Sequence, residues 1–404
     1  MKVLSSVIVK PGKERQLRSR HPWLFSGAIE RVDGKPEPGD VVAVMTHERQ
    51  FLAYGFYNPK SQTSVRLVEW EEGRTVDESW WHRRVEDALR VRSSSDGGTL
   101  RNTGVRIVHG EADGLPGVVC DLYGDYAVIQ CTTLSADRNK AIIVAAVREV
   151  ASRYGRTVRG AYERSDIDVR ELEGLKPVEG SLWGDMPPEP IEIQENGLRV
   201  LCSISGGQKG GYYFDQRENR QRVASYASGR SVLDAFCYTG GFSMHALRAG
   251  ARSATLLDSS ENALSLAANN LAANSFDPSV WDCDHSDVFK RLRVYQSEGK
   301  LFDLIVLDPP KLATSRAAID GAMRAYKDLN LQAMRLLTPG GILATFSCSG
   351  RISREQFQTT IAWAAQDAGR DALILETLAQ SYDHPIRLSF PESEYLKGFI
   401  LHIR

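Results

Sequence analysis

LFDLIVLDPPK (residues 301–311) and GGILATFSCSG (residues 340–350) decide the fold. Each is an apolar run of one strand's length, stopped abruptly by turn residues. Proline cannot donate to a sheet ladder, so Pro309 ends the first run and stiffens its exit. Asp308 is thereby held at the strand end, with Lys311 just beyond it. The second run ends in Ser347-Cys348-Ser349-Gly350. Upstream lie three similar runs, SVLDAF, ATLLDSS and SVWDCDHSDVF. Helical stretches such as GGFSMHALRAG, SENALSLAANNLAAN and KDLNLQAMRLLTPG alternate with the strands. Repeated strand–helix units predict an α/β fold, a parallel sheet covered on both faces. The ending, ALILETLAQSYDHP and EYLKGFILHIR, supplies two strands with no helix between them. These are expected to close the sheet edge as an antiparallel pair.

Further outward, IEIQENGLRVLCSI reads as a hairpin turning at Asn-Gly, and GGQKGGYYFDQRENRQRVASYA runs into a helix. The α/β domain is set at residues 191–404, because Pro187, Pro188 and Pro190 mark a boundary before it. Residues 73–190 read as a central α+β domain. Its first helix, DESWWHRRVEDALRVR, sets Trp81, Val85, Ala88 and Leu89 on one face. The following SSSDGGT reads as a loop, and Ser135 as the N-cap of the helix SADRNKAIIVAAVREVASRYG. Residues 1–72 alternate short strands with Gly/Pro/Asp turns and read as a small β-rich domain. Its segment KPGKERQLRSRHPWLF sets Lys10, Lys13, Arg15, Arg18 and Arg20 against one acid, Glu14, with Trp23 and Phe25 close behind. Such a mixture suits phosphates and unstacked bases, or equally a solvated loop beside two core aromatics.

At 404 residues the chain is too long for one core, and 42% hydrophobic with 25% charged residues is ordinary for a globular protein. The net charge of −1 gives no global basic field, which leaves room only for a local basic face. No apolar run is long enough to span a bilayer, and the N-terminus lacks a signal-peptide core; a cytoplasmic protein with no membrane partner is expected. The six cysteines form no C-x-x-C pair and have no histidine at ligand spacing, so neither zinc nor a disulfide scaffold is expected.

In open α/β sheets a ligand sits outside the carboxyl ends of the strands. Strand one ends in Asp234-Ala-Phe-Cys-Tyr-Thr-Gly-Gly241. This is not a dinucleotide fingerprint, because Phe236 and Tyr238 fill the loop and only its far end is glycine. Asp258, ending strand two, suits two ribose hydroxyls, and Asp287 after strand three suits an exocyclic amine. An adenosine without phosphates satisfies these groups, and S-adenosylmethionine is the common cofactor of that kind. Asp234, Phe236, Tyr238, Thr239, Gly240, Asp258, Asp287 and Asp308 are read as its contacts. Each has a plainer reading: Asp234 and Gly240 as turn formers, Asp258 as a helix N-cap, Asp287 as one of three neighbouring acids with Asp282 and Asp284.

A lone cysteine is ordinarily a small buried hydrophobe. Cys348, flanked by serines at a strand end, faces the proposed site if strands four and five are neighbours. A thiolate adding to carbon 6 of cytosine makes carbon 5 able to attack a sulfonium methyl. Local positive charge, such as Lys311, would then activate the thiol.

VLDAFCYTGGFSMHAL, GYYFDQRENR, FDLIVLDPPK, YKDLNLQAM, TFSCSG and DHP…YLKGF together resemble the bacterial 23S rRNA large-subunit cytosine-5 methyltransferase I family. The resemblance implies an N-terminal PUA RNA-binding domain, a central α+β domain and a C-terminal class I (Rossmann-like) methyltransferase domain. It implies Cys348 as nucleophile and Asp308 as the acid on the target base, with Lys311 beside them; Phe214, Asp215, Gln216 and Arg217 form the FDQR segment, which sits over the donor pocket or supports it. The implied partner is 23S ribosomal RNA, and a homodimer is compatible with it. Relatives often carry a second cysteine in the strand-four motif, where this chain has Pro-Pro-Lys. The base that removes the carbon 5 proton is thus open among Asp308, Lys311 and a water. Two other readings stay open: N-methylation of an RNA purine with Cys348 structural, and a non-enzymatic RNA-binding assembly factor.

Overall fold

The computed structural model describes residues 5–95, 101–204, 211–313 and 315–404. The chain divides into two compact units, Met1–Ile191 with Tyr382–Ser393, and Glu192–Ser381 with Glu394–Arg404.

The first unit holds a six-stranded and a five-stranded sheet. In the six-stranded sheet Val7, Val9, Leu24, Val42, Val65 and Leu67 form one buried cluster. The other sheet packs on the helices Glu78–Ser95 and Lys140–Arg153. Trp81, Val85, Ala88 and Leu89 are all buried there, as their spacing predicts. Trp80 joins them, edge-on to Trp81 at 5.1 Å.

Three expectations are corrected here. Helix Glu78–Ser95 continues through the first three residues of the expected SSSDGGT loop, whose remainder lies outside the described residues. Its last turn carries the fully buried Arg92, which grips Asp113 through two hydrogen bonds of 2.6 and 2.7 Å. Thr133, not Ser135, caps the next helix, accepting from Ala136 N at 3.3 Å. That helix then breaks at Asn139, whose side-chain amide competes for the Ser135 carbonyl at 2.8 Å. Finally, Tyr382–Ser393 belongs to the first unit, not with the C-terminal domain. Asp383 explains this: its carboxylate accepts from Arg106 N at 3.0 Å and its carbonyl from Arg92 at 2.9 Å. Phe390 also packs on Trp23, ring centroids 4.7 Å apart.

The second unit is built on a seven-stranded sheet. In chain order its strands are β1 (Ser231–Ala235), β2 (Ser253–Asp258), β3 (Trp281–His285), β4 (Phe302–Leu307), β5 (Leu337–Ser347), β6 (Ala372–Ala379) and β7 (Lys397–Ile403). Their spatial order is β3-β2-β1-β4-β5-β7-β6. The first five run parallel; β7 inserts antiparallel between β5 and β6. The helices are α1 (Arg217–Ala224), α2 (Gly241–Arg248), α3 (Glu261–Ala273), α4 (Val288–Ser297), α5 (Ile319–Leu336) and α6 (Arg354–Ala368). Strand order reverses between β1 and β4, so their carboxyl ends part at the sheet's switch point. The expected hairpin, Ile191–Glu195 and Leu198–Cys202, turns at Asn196 and Gly197, both with positive φ (51° and 81°).

Glu195 ties this hairpin to α1. It is wholly buried and accepts from Arg220 twice, at 2.7 and 2.8 Å, and from the Tyr212 hydroxyl at 3.1 Å. Burial alone would raise its pKa; the Arg220, His245 and Arg217 charges overcome that and hold it below the usual range. Removing one partner of such a pair strands the other in low dielectric. Glu195→Ala is therefore expected to cost roughly 3–5 kcal/mol, read from urea unfolding.

Candidate active site

The chain leaves β1 at Ala235 and must enter α2 at Gly241. It does so with Phe236, Tyr238 and Gly240 all in the left-handed region, φ 63°, 49° and 79°. Two bulky residues there cost on the order of 1 kcal/mol each and need outside support. The end of β2 provides it. Phe236 N and Cys237 N donate to Leu257 O at 2.9 and 3.2 Å, and Tyr238 N donates to Asp258 at 3.0 Å. A side chain at Gly240 would press to 3.0 Å from Leu256 and 3.2 Å from Ala267 besides bearing the positive φ.

Asp234 is wholly buried. One carboxylate oxygen accepts from both Ser243 N (3.0 Å) and Ser243 Oγ (2.7 Å), in the first turn of α2. Burial pushes its pKa up to about 6, against the pull of those Ser243 bonds. Its other oxygen and the Thr239 hydroxyl are buried with no hydrogen-bond partner. Buried polar atoms of this kind call for a ligand's donors and acceptors. The turn thus fits the polar part of a nucleoside-bearing methyl donor.

The acids at the other strand ends separate clearly. Ser260 is the N-cap of α3, so Asp258 is not; Asp258 instead holds Tyr238 N and, through its second oxygen, Ser260 N at 2.9 Å. Asp287 is exposed and is itself the N-cap of α4, accepting from Lys290 N at 2.9 Å. Asp284 is taken by Arg291 and Tyr295 at 2.5 and 2.6 Å, and Asp282 accepts from Thr255 at 2.9 Å.

Strands β4 and β5 are parallel neighbours, with Leu307 opposite Thr345. This brings Asp308 and Cys348 together: the Cys348 thiol lies 3.8 Å from Pro309 O as its donor. Gln216 Nε2 donates to Asp308 at 3.0 Å, and Asn219 fixes Gln216 at 2.6 Å. Gln216 follows Phe214 in a short 3-10 turn leading into α1; no side chain caps either element. Phe214 is buried beneath this turn, edge-on to Tyr212 at 5.8 Å. Burial, then Asp215, pushes Asp308 up to about 7. Burial, then Asp308 and Asp215, pushes Cys348 up to about 12. Lys311 is exposed, and its charge is a minor pull against these effects, so the expected activation of the thiol by Lys311 is not what dominates its surroundings.

Two residues escaped the sequence reading, Tyr213 and Lys397, and Asp215 was read only as part of the FDQR segment. Tyr213, 47% exposed, meets Tyr238 edge-on at 5.3 Å. Asp215 accepts from the Tyr395 hydroxyl at 2.7 Å. Buried Lys397 donates to Ser349 O and Ile352 O at 2.8 and 2.6 Å, pinning the turn after Cys348; burial lowers its pKa to about 8. A lysine opening the otherwise apolar β7 was the one available signal for it.

A carboxyl whose pKa is raised on folding binds its proton more tightly in the native state. Its favourable contribution is present below the unfolded value of 3.8 and is lost as pH rises through about 7. Asp308→Asn escapes this loss. It is expected to be more stable than the unaltered chain by roughly 2 kcal/mol at alkaline pH, the gain vanishing in acid, as read from melts at both.

Family models match the chain in two places: a PUA-like domain over residues 7–70 and an S-adenosylmethionine-dependent methyltransferase over residues 175–356. The ribosomal RNA large subunit methyltransferase I of Aeromonas hydrophila is 44% identical over 99% of this chain and 100% of its own length. That of Cronobacter sakazakii is 39% identical over 98% and 99%. Among solved structures, SMU.776, a candidate methyltransferase in complex with S-adenosylhomocysteine, shares the fold (TM-score 0.84, 22% identical, 98% of this chain and 99% of that chain). With a β3-β2-β1-β4-β5-β7-β6 sheet, a supported turn after β1 and full-length relatives, the chain is an S-adenosylmethionine-dependent methyltransferase and belongs to the ribosomal RNA large subunit methyltransferase I family.

Proposed function

We propose that this enzyme methylates carbon 5 of a cytosine in 23S ribosomal RNA through a transient bond to Cys348. One observation carries the reading: a thiol and a proton-bearing carboxyl at the ends of adjacent parallel strands. With its pKa near 7, Asp308 can give its proton to N3 of the base and take the thiol proton in its place. The sulfur bonds to carbon 6, and carbon 5 becomes enamine-like. S-adenosylmethionine supplies an electrophilic methyl group, which carbon 5 takes. Loss of the carbon 5 proton then re-forms the carbon 5–carbon 6 double bond and expels the thiolate. Asp258 and Thr239 are proposed as donor contacts, with Phe236, Tyr238 and Gly240 shaping the turn and Gln216 orienting Asp308. Asp287 is left to its helix-capping duty.

A second reading, N-methylation with Cys348 structural, draws on the same thiol: at about 12 its pKa keeps it protonated at neutral pH. Mass spectrometry of RNA treated with Cys348→Ala protein separates the two. On the cytosine reading, product falls to background; full methylation by that variant would refute it. A denaturation-resistant adduct with 5-fluorocytidine RNA is expected for the unaltered protein.

The relatives' name and the PUA-like match support an RNA face on the first unit. We propose that this unit subdivides into residues 1–72 and 73–190, each with its own sheet, with Phe56 and Val68 of the first packed into the buried cluster of the second. Arg15, Arg18 and Arg20 are exposed around buried Leu17. Phe25 is also exposed, whereas Trp23 is committed to Glu111 at 3.0 Å. Reversing Arg15 and Arg18 to Glu should weaken RNA affinity about tenfold or more and flatten its salt dependence. Affinity for S-adenosylmethionine, measured by calorimetry, should not change.

A further inference from the structure

The proposed reaction leaves one proton without a destination. After methyl transfer, carbon 5 of the base carries both a methyl group and a hydrogen, and the hydrogen must leave before the sulfur can. The strand-four motif offers no second thiol, only Pro309, Pro310 and Lys311. Lys311 is exposed to water. Asp308 is held by Gln216 at 3.0 Å. A carboxyl engaged in the ring plane with N3 does not also reach a hydrogen on the ring face at carbon 5.

Asp215 is a further acid near this site. It immediately precedes Gln216, the residue bonded to Asp308. Its Oδ2 accepts from the Tyr395 hydroxyl at 2.7 Å, and its carbonyl accepts from Ser381 N at 2.9 Å, so both backbone and carboxylate are fixed. Its Oδ1 is shielded from water and has no hydrogen-bond partner. A buried carboxylate oxygen left unpaired is costly, and nothing in helix or turn formation requires it here. Its charge raises the proton affinity of both Asp308 and Cys348, and its neighbour Gln216 is bonded to Asp308, so it lies close to the acid and the thiol.

We infer that Asp215 is the base that removes the carbon 5 proton, with Tyr395 orienting its carboxylate; this rests on the covalent reading above. The balance is complete. The carbon 5–hydrogen bond breaks and its proton goes to Asp215 Oδ1. The electron pair forms the carbon 5–carbon 6 double bond, and the carbon 6–sulfur bond breaks to return the Cys348 thiolate. The proton on N3 returns through Asp308 to the Cys348 thiolate, and Asp215 releases its own to water as the product departs.

The test is Asp215→Asn in the full chain, with methyl-labelled S-adenosylmethionine and a 23S ribosomal RNA transcript. A base that acts only after methyl transfer predicts one methyl transferred per enzyme at close to the normal rate. Turnover then stalls, falling about 100-fold or more, while a methyl-labelled protein–RNA adduct survives denaturation. The double variant with Cys348→Ala should form no such adduct. Normal turnover by Asp215→Asn overturns the inference, and so does loss of the first methyl transfer without adduct in a variant that still binds the donor. If Asp215→Asn does not fold or bind the donor, Tyr395→Phe decides. Adduct accumulation with slowed turnover then supports the assignment, and unchanged turnover refutes it. Failure of the unaltered enzyme to trap 5-fluorocytidine RNA would instead overturn the covalent reading itself, whatever the Asp215 variants do.

Discussion

A five-residue turn carrying two bulky residues in left-handed backbone is the constraint on which the methyltransferase unit depends. Phe236 and Tyr238 hold those angles because the end of β2 supplies a carbonyl, at Leu257, and a carboxylate, at Asp258. The parallel pairing of β1 with β2 brings these acceptors to the turn. From below, Asp234 fastens the first turn of α2 through Ser243. The two carboxylates thus shape the backbone before either could meet a ligand. Their cost is visible in the buried, unpaired oxygen of Asp234 and the unpaired Thr239 hydroxyl. Such strain is kept at functional sites, where a ligand can relieve it.

On the other side of the switch point the design is electrostatic. Burial, with the Asp215 charge, raises both groups, Asp308 to about 7 and Cys348, which also feels Asp308, to about 12, so the thiol keeps its proton at rest. The thiol is therefore quiet until something changes its surroundings. A base entering between acid and thiol offers N3 as a proton acceptor, which lets the thiol's proton move without creating a buried, unpaired charge. Lys397 contributes by geometry: its ammonium ties the carbonyls of Ser349 and Ile352, so the thiol is carried on a fixed turn. Gln216 does the same for the carboxyl.

The periodic parts of the fold were readable because they obey local rules. Alternation of strand and helix, the Asn-Gly turn at 196–197 and the apolar face through Trp81, Val85, Ala88 and Leu89 need only nearest neighbours to be recognised. The misreadings share one origin, namely polar side chains whose partners are distant or unexpected. Arg92 extends its helix because Asp113, twenty-one residues on, neutralises it in the core. Where the helix breaks, the Asn139 side-chain amide shares the Ser135 carbonyl with its own backbone N–H. Tyr382–Ser393 joins the first unit because Asp383 finds Arg106 and Arg92 there.

By itself the sequence determined the strand ends and what stands on them: an acid before two prolines, a thiol between serines, a glycine opening α2. These follow from local chemistry, because proline and glycine dictate where a strand stops and a turn begins. Only the tertiary structure decided which of those groups meet. The β4–β5 pairing sets Asp308 beside Cys348, and Ser260, not Asp258, caps α3. The structure also joined Asp215 to Tyr395, 180 residues apart in the chain, and left one of its carboxylate oxygens buried and unpaired. Pairing across such distances depends on sheet order and burial, which fix a side chain's partners and its proton affinity and leave no local trace in the residues between.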